Sequence, residues 1–395
     1  MVQLFKKSSI KDYVAIAAAL SDELSSTAAE RDRQAGIPDE EVELIKKAGL
    51  ISLSIPKEYG GAGASWVDAY RVIRELSKAD GSTGQLYGNH VTLAALGRAI
   101  GTSEQAERYY RLIAENNWFV GNALNGRDAR LKIAPEGDHF RANGIKSFGT
   151  GTISADLRVF AAVQDGVDFP IVFIVPRDRD GIVYNNDWNN MGQRRTASGS
   201  YSFNNVLVYA DEILGPPPDP QSAFPTFMFV MAQLAKVNVY LGIAEGAINA
   251  AKQYTLTSTR PWLTSGVDRI SDDPFILHHY GEFWTDLKAA IALAEQVAQA
   301  VQAAWEKGEA LTFQERGEVS IAVSIAKAFA IKVGLTITNH VFDVMGARAT
   351  SANYNFDRYW RDLRTFSLHD PVDYKLRDIG NWVLNRELPP VNQYS

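Results

Sequence analysis

The sequence predicts a mostly helical α+β protein built as helices, then a small β-region, then long helices. Three observations carry this expectation. Apolar residues recur at helical spacing through the first and last thirds of the chain. Between them the period shortens to strand-like runs separated by Gly, Asp and Pro turns. Gly215-Pro-Pro-Pro-Asp-Pro220 then reads as a stiff linker that closes the β-region. The expected segments are an N-terminal helical domain over 1–117, a central β-domain over 118–220 and a C-terminal helical bundle over 221–395.

The elements follow in order. Residues 11–33 are rich in Ala and Leu at helical spacing, and Gly36-Ile-Pro38 stops them. Residues 39–47 begin with acids and end with lysines, which suits the helix macrodipole. Pro56-Lys-Glu-Tyr-Gly-Gly-Ala-Gly63 is a turn-rich loop, and further helices are expected over 66–78, 84–100 and 103–116. Strands are expected over 119–123, 139–148, 157–163, 171–175 and 201–208, forming an antiparallel barrel or sandwich. Helices return over 224–257, 274–307, 312–342 and 371–384, with alanines such as Ala290, Ala294 and Ala298 suited to a close-packed bundle.

Composition excludes several function classes. With 395 residues and 46% hydrophobic content the chain can bury a large core. A net charge of -6 argues against a nucleic-acid groove or an anionic membrane surface. There is no cysteine, hence no disulfide, thiolate metal site or Cys nucleophile, which fits a reducing compartment. The apolar stretch Val14 to Leu20 is short and acids follow it, so the N-terminus does not read as a signal peptide. No apolar run is expected to reach the roughly 20 residues of a membrane helix, and a cytoplasmic protein is the default. No Gly-x-Gly-x-x-Gly follows a strand, no His/acid cluster has metal-ligand spacing, and Gly60-Gly-Ala-Gly63 lacks the Lys-Ser/Thr of a phosphate loop.

Several stretches together resemble the acyl-CoA dehydrogenase superfamily along essentially the whole chain. They are Ile55-Pro-Lys-Glu-Tyr-Gly-Gly-Ala-Gly63, Asn143-Gly-Ile-Lys-Ser-Phe-Gly-Thr-Gly-Thr152, Met191-Gly-Gln-Arg-Arg-Thr-Ala-Ser-Gly-Ser200 and Phe203-Asn-Asn-Val206. Three more pieces are similar to one branch, the reduced-flavin-dependent monooxygenases typified by dibenzothiophene-oxidising enzymes. These are Thr259-Arg-Pro-Trp262, Gly346-Ala-Arg-Ala-Thr350 and Leu368-His-Asp-Pro-Val-Asp-Tyr-Lys375. Dehydrogenases of the superfamily usually keep a glutamate base where an ungapped match puts Asp370. Aspartate is one methylene shorter and Pro371 restricts it; the alternative base position beside Arg260 is Pro261, which cannot take a proton. Dehydrogenation is therefore disfavoured.

The resemblance implies a homotetramer, with a dimer left open, that binds reduced FMN, with FAD as the open alternative. Without a pyridine-nucleotide site, a separate flavin reductase must supply the reduced cofactor. The implied reaction uses O2 to oxygenate a small sulfur-containing or aromatic heterocyclic substrate through a C4a-hydroperoxyflavin. Arg260 and Arg348 become flavin-phosphate ligands, a role that suits the guanidinium fork, although without the resemblance they read more readily as ordinary salt bridges. His369, between a charged run and Pro371, becomes the proton donor, and His90 in Tyr87-Gly-Asn-His-Val91 a second catalytic candidate. Asn122, Phe148, Thr150 and Trp188 are expected to line the flavin, with Asn122 and Thr150 also catalytic and Asn125 competing for the role of Asn122. Lys375 reads as a salt-bridge partner; His139, His278, His279 and His340 carry no functional expectation. The competing functions are an FAD-dependent acyl-CoA dehydrogenase using Asp370, an N-hydroxylase of a small amine, and a non-catalytic helical scaffold.

Overall fold

The computed structural model describes residues 12–216, 219 and 221–395. Residues 1–11, which include the expected start of the first helix and the beginning of the stretch read against a signal peptide, lie outside the described residues, as do Pro217, Pro218 and Pro220 of the expected linker. Six helices come first: α1 (Tyr13–Gln34), α2 (Asp39–Lys47), α3 (Trp66–Ala79), α4 (Gly81–Ala94), α5 (Leu96–Ile100) and α6 (Ser103–Asn116). Side-chain caps set their starts. Asp12 accepts from the Ala15 N–H at 3.0 Å, Ser65 from Asp68 at 3.1 Å, and Thr102 with Gln105 forms a reciprocal capping box. The helix expected over 84–100 starts earlier, because Asp80 caps it through the Ser82 N–H at 2.8 Å, and it is interrupted at Ala95.

Seven strands follow: β1 (Val120–Ala123), β2 (Lys132–Glu136), β3 (His139–Lys146), β4 (Leu157–Ala162), β5 (Ile171–Pro176), β6 (Ile182–Tyr184) and β7 (Tyr201–Tyr209). They form two sheets, in the orders β1-β4-β5 and β2-β3-β7-β6. The expected antiparallel arrangement fails at one pair. β1 and β4 are parallel, since the chain between them crosses to the other sheet through β2 and β3. β2 and β6 escaped sequence reading because both are short edge strands, β2 mostly exposed and β6 partly buried, and β2 contains a proline that only an edge tolerates.

The remaining helices are α7 (Phe224–Ser258), α8 (Pro274–Lys307), α9 (Phe313–Met345), α10 (Asp357–Ser367) and α11 (Val372–Asn385). α10 was not expected: its apolar face (Tyr359, Leu363, Phe366) is hidden within Arg358, Arg361, Asp362 and Arg364. α7 packs against α3, α4, α8 and α9 and is buried along its middle, from Val230 to Ile248. Gly242 and Gly246, one turn apart, let α3 approach. A Cβ on either would sit 2.4 Å from Arg74 O or 2.0 Å from Lys78 O. Contrary to the sequence expectation, α7 and α9 are long and apolar enough to cross a membrane; 89% of the most apolar stretch of α7 is buried inside the protein. That stretch is apolar because it fills the core. The N- and C-terminal helices share this core, and the two sheets enclose a second one around Phe160, Phe173, Tyr201 and Phe203.

Candidate active site

The turn after β3 builds one wall. Phe148 has φ +60, a left-handed conformation that is strained for an aromatic residue, and it leaves the side chain 57% exposed. Gly149 follows because a Cβ there would lie 2.2 Å from the Tyr201 ring. The Phe148 ring meets Trp188 edge to face at 6.4 Å, and Trp188 is held by its Nε1–H, which donates to Gln193 O at 2.8 Å. These two expected lining residues are therefore brought together.

Behind them runs a chain of hydroxyls. Thr150 Oγ1 lies 2.8 Å from Ser198 Oγ, which lies 2.8 Å from Thr196 Oγ1, which donates to Gln193 O at 2.9 Å. Each hydroxyl has one proton. Thr196 spends its own on Gln193, so Ser198 donates to Thr196 and Thr150 donates to Ser198. Thr150, expected as a donor, is thereby left presenting an acceptor lone pair. Gln85 Nε2 approaches that oxygen at 3.4 Å, and Gln85 Oε1 is buried without a partner. Neither Gln85 nor Ser198 was singled out in the sequence, where nothing distinguishes them from ordinary helix and loop residues. Asn122 sits beside this chain on β1, its N–H donating to Thr150 O at 3.4 Å. The competing Asn125 accepts at Oδ1 from the Arg127 N–H at 3.1 Å, which holds it in a turn beyond β1. The loop carrying Gln193 to Ser198 is anchored from both ends of the chain. Arg195 makes two 2.7 Å bonds to Glu41, and the Gln193 N–H donates to the buried Asp362 carboxylate at 2.5 Å.

His90 does not belong to this surface. It is fully buried and stacks on Phe119 at 4.9 Å. Its Nδ1 accepts from the Val120 N–H at 3.0 Å, so its Nε2 carries the proton and donates to Ile51 O at 2.8 Å. Both ring nitrogens are spent on backbone. Burial pushes its pKa down to about 4, keeping it neutral. The expectation of a catalytic His90 is corrected accordingly: the residue ties α4 to β1 and has no nitrogen left for a substrate.

His369 has the opposite setting. It lies in the turn between α10 and α11, with 39% of its side chain open. Its Nδ1–H donates to Asp370 Oδ1 at 3.0 Å, leaving Nε2 as a free acceptor. Crowding by the protein, followed by the ammonium of Lys236, pushes its pKa down to about 4; the open face offsets part of that shift. At neutral pH it is thus an acceptor at rest, whereas the sequence reading makes it a proton donor.

Asp370 is buried and takes a second hydrogen bond from Lys327 Nζ, with Lys375 Nζ 3.8 Å from its other oxygen. Burial alone would raise its pKa, but the bond from His369 and the charge of Lys327 outweigh this and hold it well below the carboxylate range. Lys375 is a salt-bridge partner, as read, and also donates to Tyr394 O. The Tyr394 ring meets the His369 ring edge to face at 5.9 Å, and neighbouring Gln393 accepts from the Gly126 N–H at 3.1 Å. This C-terminal strap links the His369 turn to the loop leaving β1.

Arg260 and Arg348 both lie near the end of α7 and away from this site. Arg348 donates to Ser258 O at the end of α7, two residues before Arg260, and both are exposed. Among the described residues neither forms an ion pair with a carboxylate. Ser258 lies 22 positions beyond Lys236 on α7, roughly 33 Å at about 1.5 Å per residue.

Known proteins match this architecture end to end. Residues 13–117 match the model of the acyl-CoA dehydrogenase N-terminal domain, and residues 234–374 that of a C-terminal domain of the same family. The chain is 42% identical to the dibenzothiophene monooxygenase of Mycolicibacterium goodii, over 96% of this chain and 95% of that protein. It is 41% identical, over 97% of both, to the Pseudomonas putida protein named "Probable FMNH2-dependent monooxygenase SfnC". The structure of the methanesulfinate monooxygenase MsuC from Pseudomonas fluorescens superimposes with a TM-score of 0.94 at 40% identity, covering 97% of this chain and 99% of that one. With a histidine turn and a tied-up aspartate where a dehydrogenase would hold its free glutamate, the chain belongs to the acyl-CoA dehydrogenase family and, within it, to the monooxygenases that use reduced FMN.

Proposed function

We propose that this chain is the oxygenase half of a cytoplasmic two-component system. It receives reduced FMN from a separate reductase and adds one oxygen atom from O2 to a small sulfur-containing or heteroaromatic molecule. The residues present fit the cofactor. Phe148 and Trp188 offer an exposed aromatic wall, Thr150 and the orphaned Gln85 carbonyl offer acceptors for ring N–H groups, and Arg260 and Arg348 offer two unpaired guanidinium groups for a phosphate. When bound, reduced FMN supplies two electrons and activates O2.

The observation that carries the reading is the His369–Asp370–Lys327 cluster. A dehydrogenase base needs a carboxylate free to take a proton. Asp370 is spent on two donors, whereas His369 keeps Nε2 on an open face and can take and return one proton. Asn122 and Thr150 add polar contacts without net charge, and the aromatic wall keeps water from the reacting centre.

A homotetramer is part of the proposal. Arg260 and Arg348 are too far from His369 along α7 to hold the phosphate of a flavin whose ring lies near it in the same subunit. A second copy would supply them. Exposed Trp262 (71%), Leu263, Phe275, Leu277 and Trp284 beside Arg260 provide apolar surface for that contact. The test uses purified protein, an unrelated flavin reductase and isotopically labelled O2 with a panel of thiophenes, sulfides and sulfinates. One labelled oxygen in a product is expected. Release of all consumed O2 as hydrogen peroxide with every substrate would sink the reading.

A further inference from the structure

α7 carries a buried cation without a carboxylate. Lys236 is only 8% exposed, and among the described residues the hydrogen bond it forms goes to Ala232 O of its own helix at 3.2 Å. Among the described residues no acid lies within salt-bridge range of it, and Asp370 attracts it only from farther away. Its neighbours do not cancel its charge. Lys327 on α9 and Lys375 on α11 share the single carboxylate of Asp370, and Arg316 on α9 donates to the Ser395 and Thr226 carbonyls. A buried charge normally has an ionic partner, because desolvating it unpaired is costly. Three lysines around one aspartate leave this pocket with surplus positive charge.

That surplus lies at the reacting centre. Lys236 is the strongest charge acting on His369, and Gln233, one turn earlier on the same face of α7, accepts from Lys327. Burial lowers the Lys236 pKa only to about 8, so it stays mostly charged at neutral pH. The neutral thiophene-like substrate that the sequence suggests gives this ammonium nothing to pair with.

We propose that Lys236 is the substrate-anion ligand of this enzyme, and that the substrate is a small organosulfur oxyanion, a sulfinate, held beside His369. This rests on the monooxygenase reading above. A sulfinate suits the site because its sulfur keeps the lone pair that takes oxygen, while its two oxygens carry the charge that Lys236 needs. The step balances: sulfinate, O2 and reduced FMN give sulfonate, oxidised FMN and water. The sulfur gains one oxygen atom, the other leaves as water, and the flavin supplies two electrons. The sulfonate has no sulfur lone pair left, so oxidation stops there.

The experiment measures benzenesulfinate binding by calorimetry to wild type, Lys236→Met and Lys236→Arg, each with oxidised FMN present, together with thermal unfolding of the unliganded proteins. Loss of one charge-assisted contact should weaken binding roughly ten- to a hundredfold in Lys236→Met, and Lys236→Arg should recover most of it. Lys236→Met should melt no lower than wild type, since it removes a buried charge that no carboxylate pairs with directly. Equal binding by wild type and Lys236→Met would overturn the proposal, as would failure of wild type to bind the anion. A lower melting temperature for Lys236→Met would also overturn it, by revealing a structural counter-charge. If wild type binds benzenesulfinate in the expected pattern yet incorporates no oxygen with reduced FMN, the anion site stands and the monooxygenase reading fails.

Discussion

The pockets of His90 and His369 hold the same residue, and in both the pKa is pushed down to about 4, yet they do opposite work. Around His90 both ring nitrogens face backbone groups and no carboxylate touches the ring, so the imidazole acts as a fixed polar peg between α4 and β1. Around His369 one nitrogen faces a carboxylate, the other is free, and lysines crowd the far side. A depressed pKa therefore does not identify a catalytic histidine. What separates the two is whether a nitrogen remains unspent on an open face.

The largest effect expected from this contrast is on stability. His90→Ala orphans the Val120 N–H and the Ile51 carbonyl and leaves a cavity, so it should cost about 3–5 kcal/mol in urea unfolding. A loss below about 1 kcal/mol would mean that water replaces the ring and that His90 is not a structural peg.

The same peg should be visible in pH dependence. Its folded pKa lies below the unfolded value near 6.5, so the stability it contributes is fully present above that value and is lost as pH falls through about 4. The loss is about 3 kcal/mol. The difference between wild type and His90→Gln unfolding curves over that window isolates it from the carboxylates. A constant difference would break the assignment.

Next comes His369→Ala. It should leave stability nearly unchanged but cut product formed per reduced FMN by roughly a hundredfold, with the oxygen appearing as hydrogen peroxide. Unchanged coupling would remove His369 from the chemistry and erase the contrast with His90. The smallest effect concerns the remote arginines. Arg348→Ala should weaken FMN binding by about 2 kcal/mol, and mixing it with an Arg260-intact, His369→Ala protein in one assembly should restore part of the activity. Failure of such mixing would argue that each subunit holds its flavin alone.

Much of the fold was legible from the sequence because helical and strand periods are local. α1, α7, α8 and α9 announce themselves over about six to nine turns, and β4, β5 and β7 by apolar or alternating runs. What escaped, β2, β6 and α10, lacks a local signal: two short edge strands, and a helix whose buried face includes Arg358 and Asp362. The site was half legible. His369, Arg260 and Arg348 stood out through their motifs, while Gln85, Ser198, Lys236 and Lys327 did not. A lysine in a helix normally reads as a solvated face, and only the packing of α7, α9 and the His369 turn buries these two.

The sequence by itself determined the order of the longer helices and the main strands, the family, the cofactor class and the absence of cysteine chemistry, since each depends on residue identity and near-neighbour spacing. The tertiary structure alone decided that His90 is spent, that Thr150 presents a lone pair, that Asp370 is tied to Lys327, and that Arg348 is bonded to the end of α7 while Lys236, which acts on His369, lies 22 positions back along it. Those outcomes depend on which groups meet across 30 to 90 positions of chain, and hydrogen bonds and charges act only over the few ångströms that folding brings together.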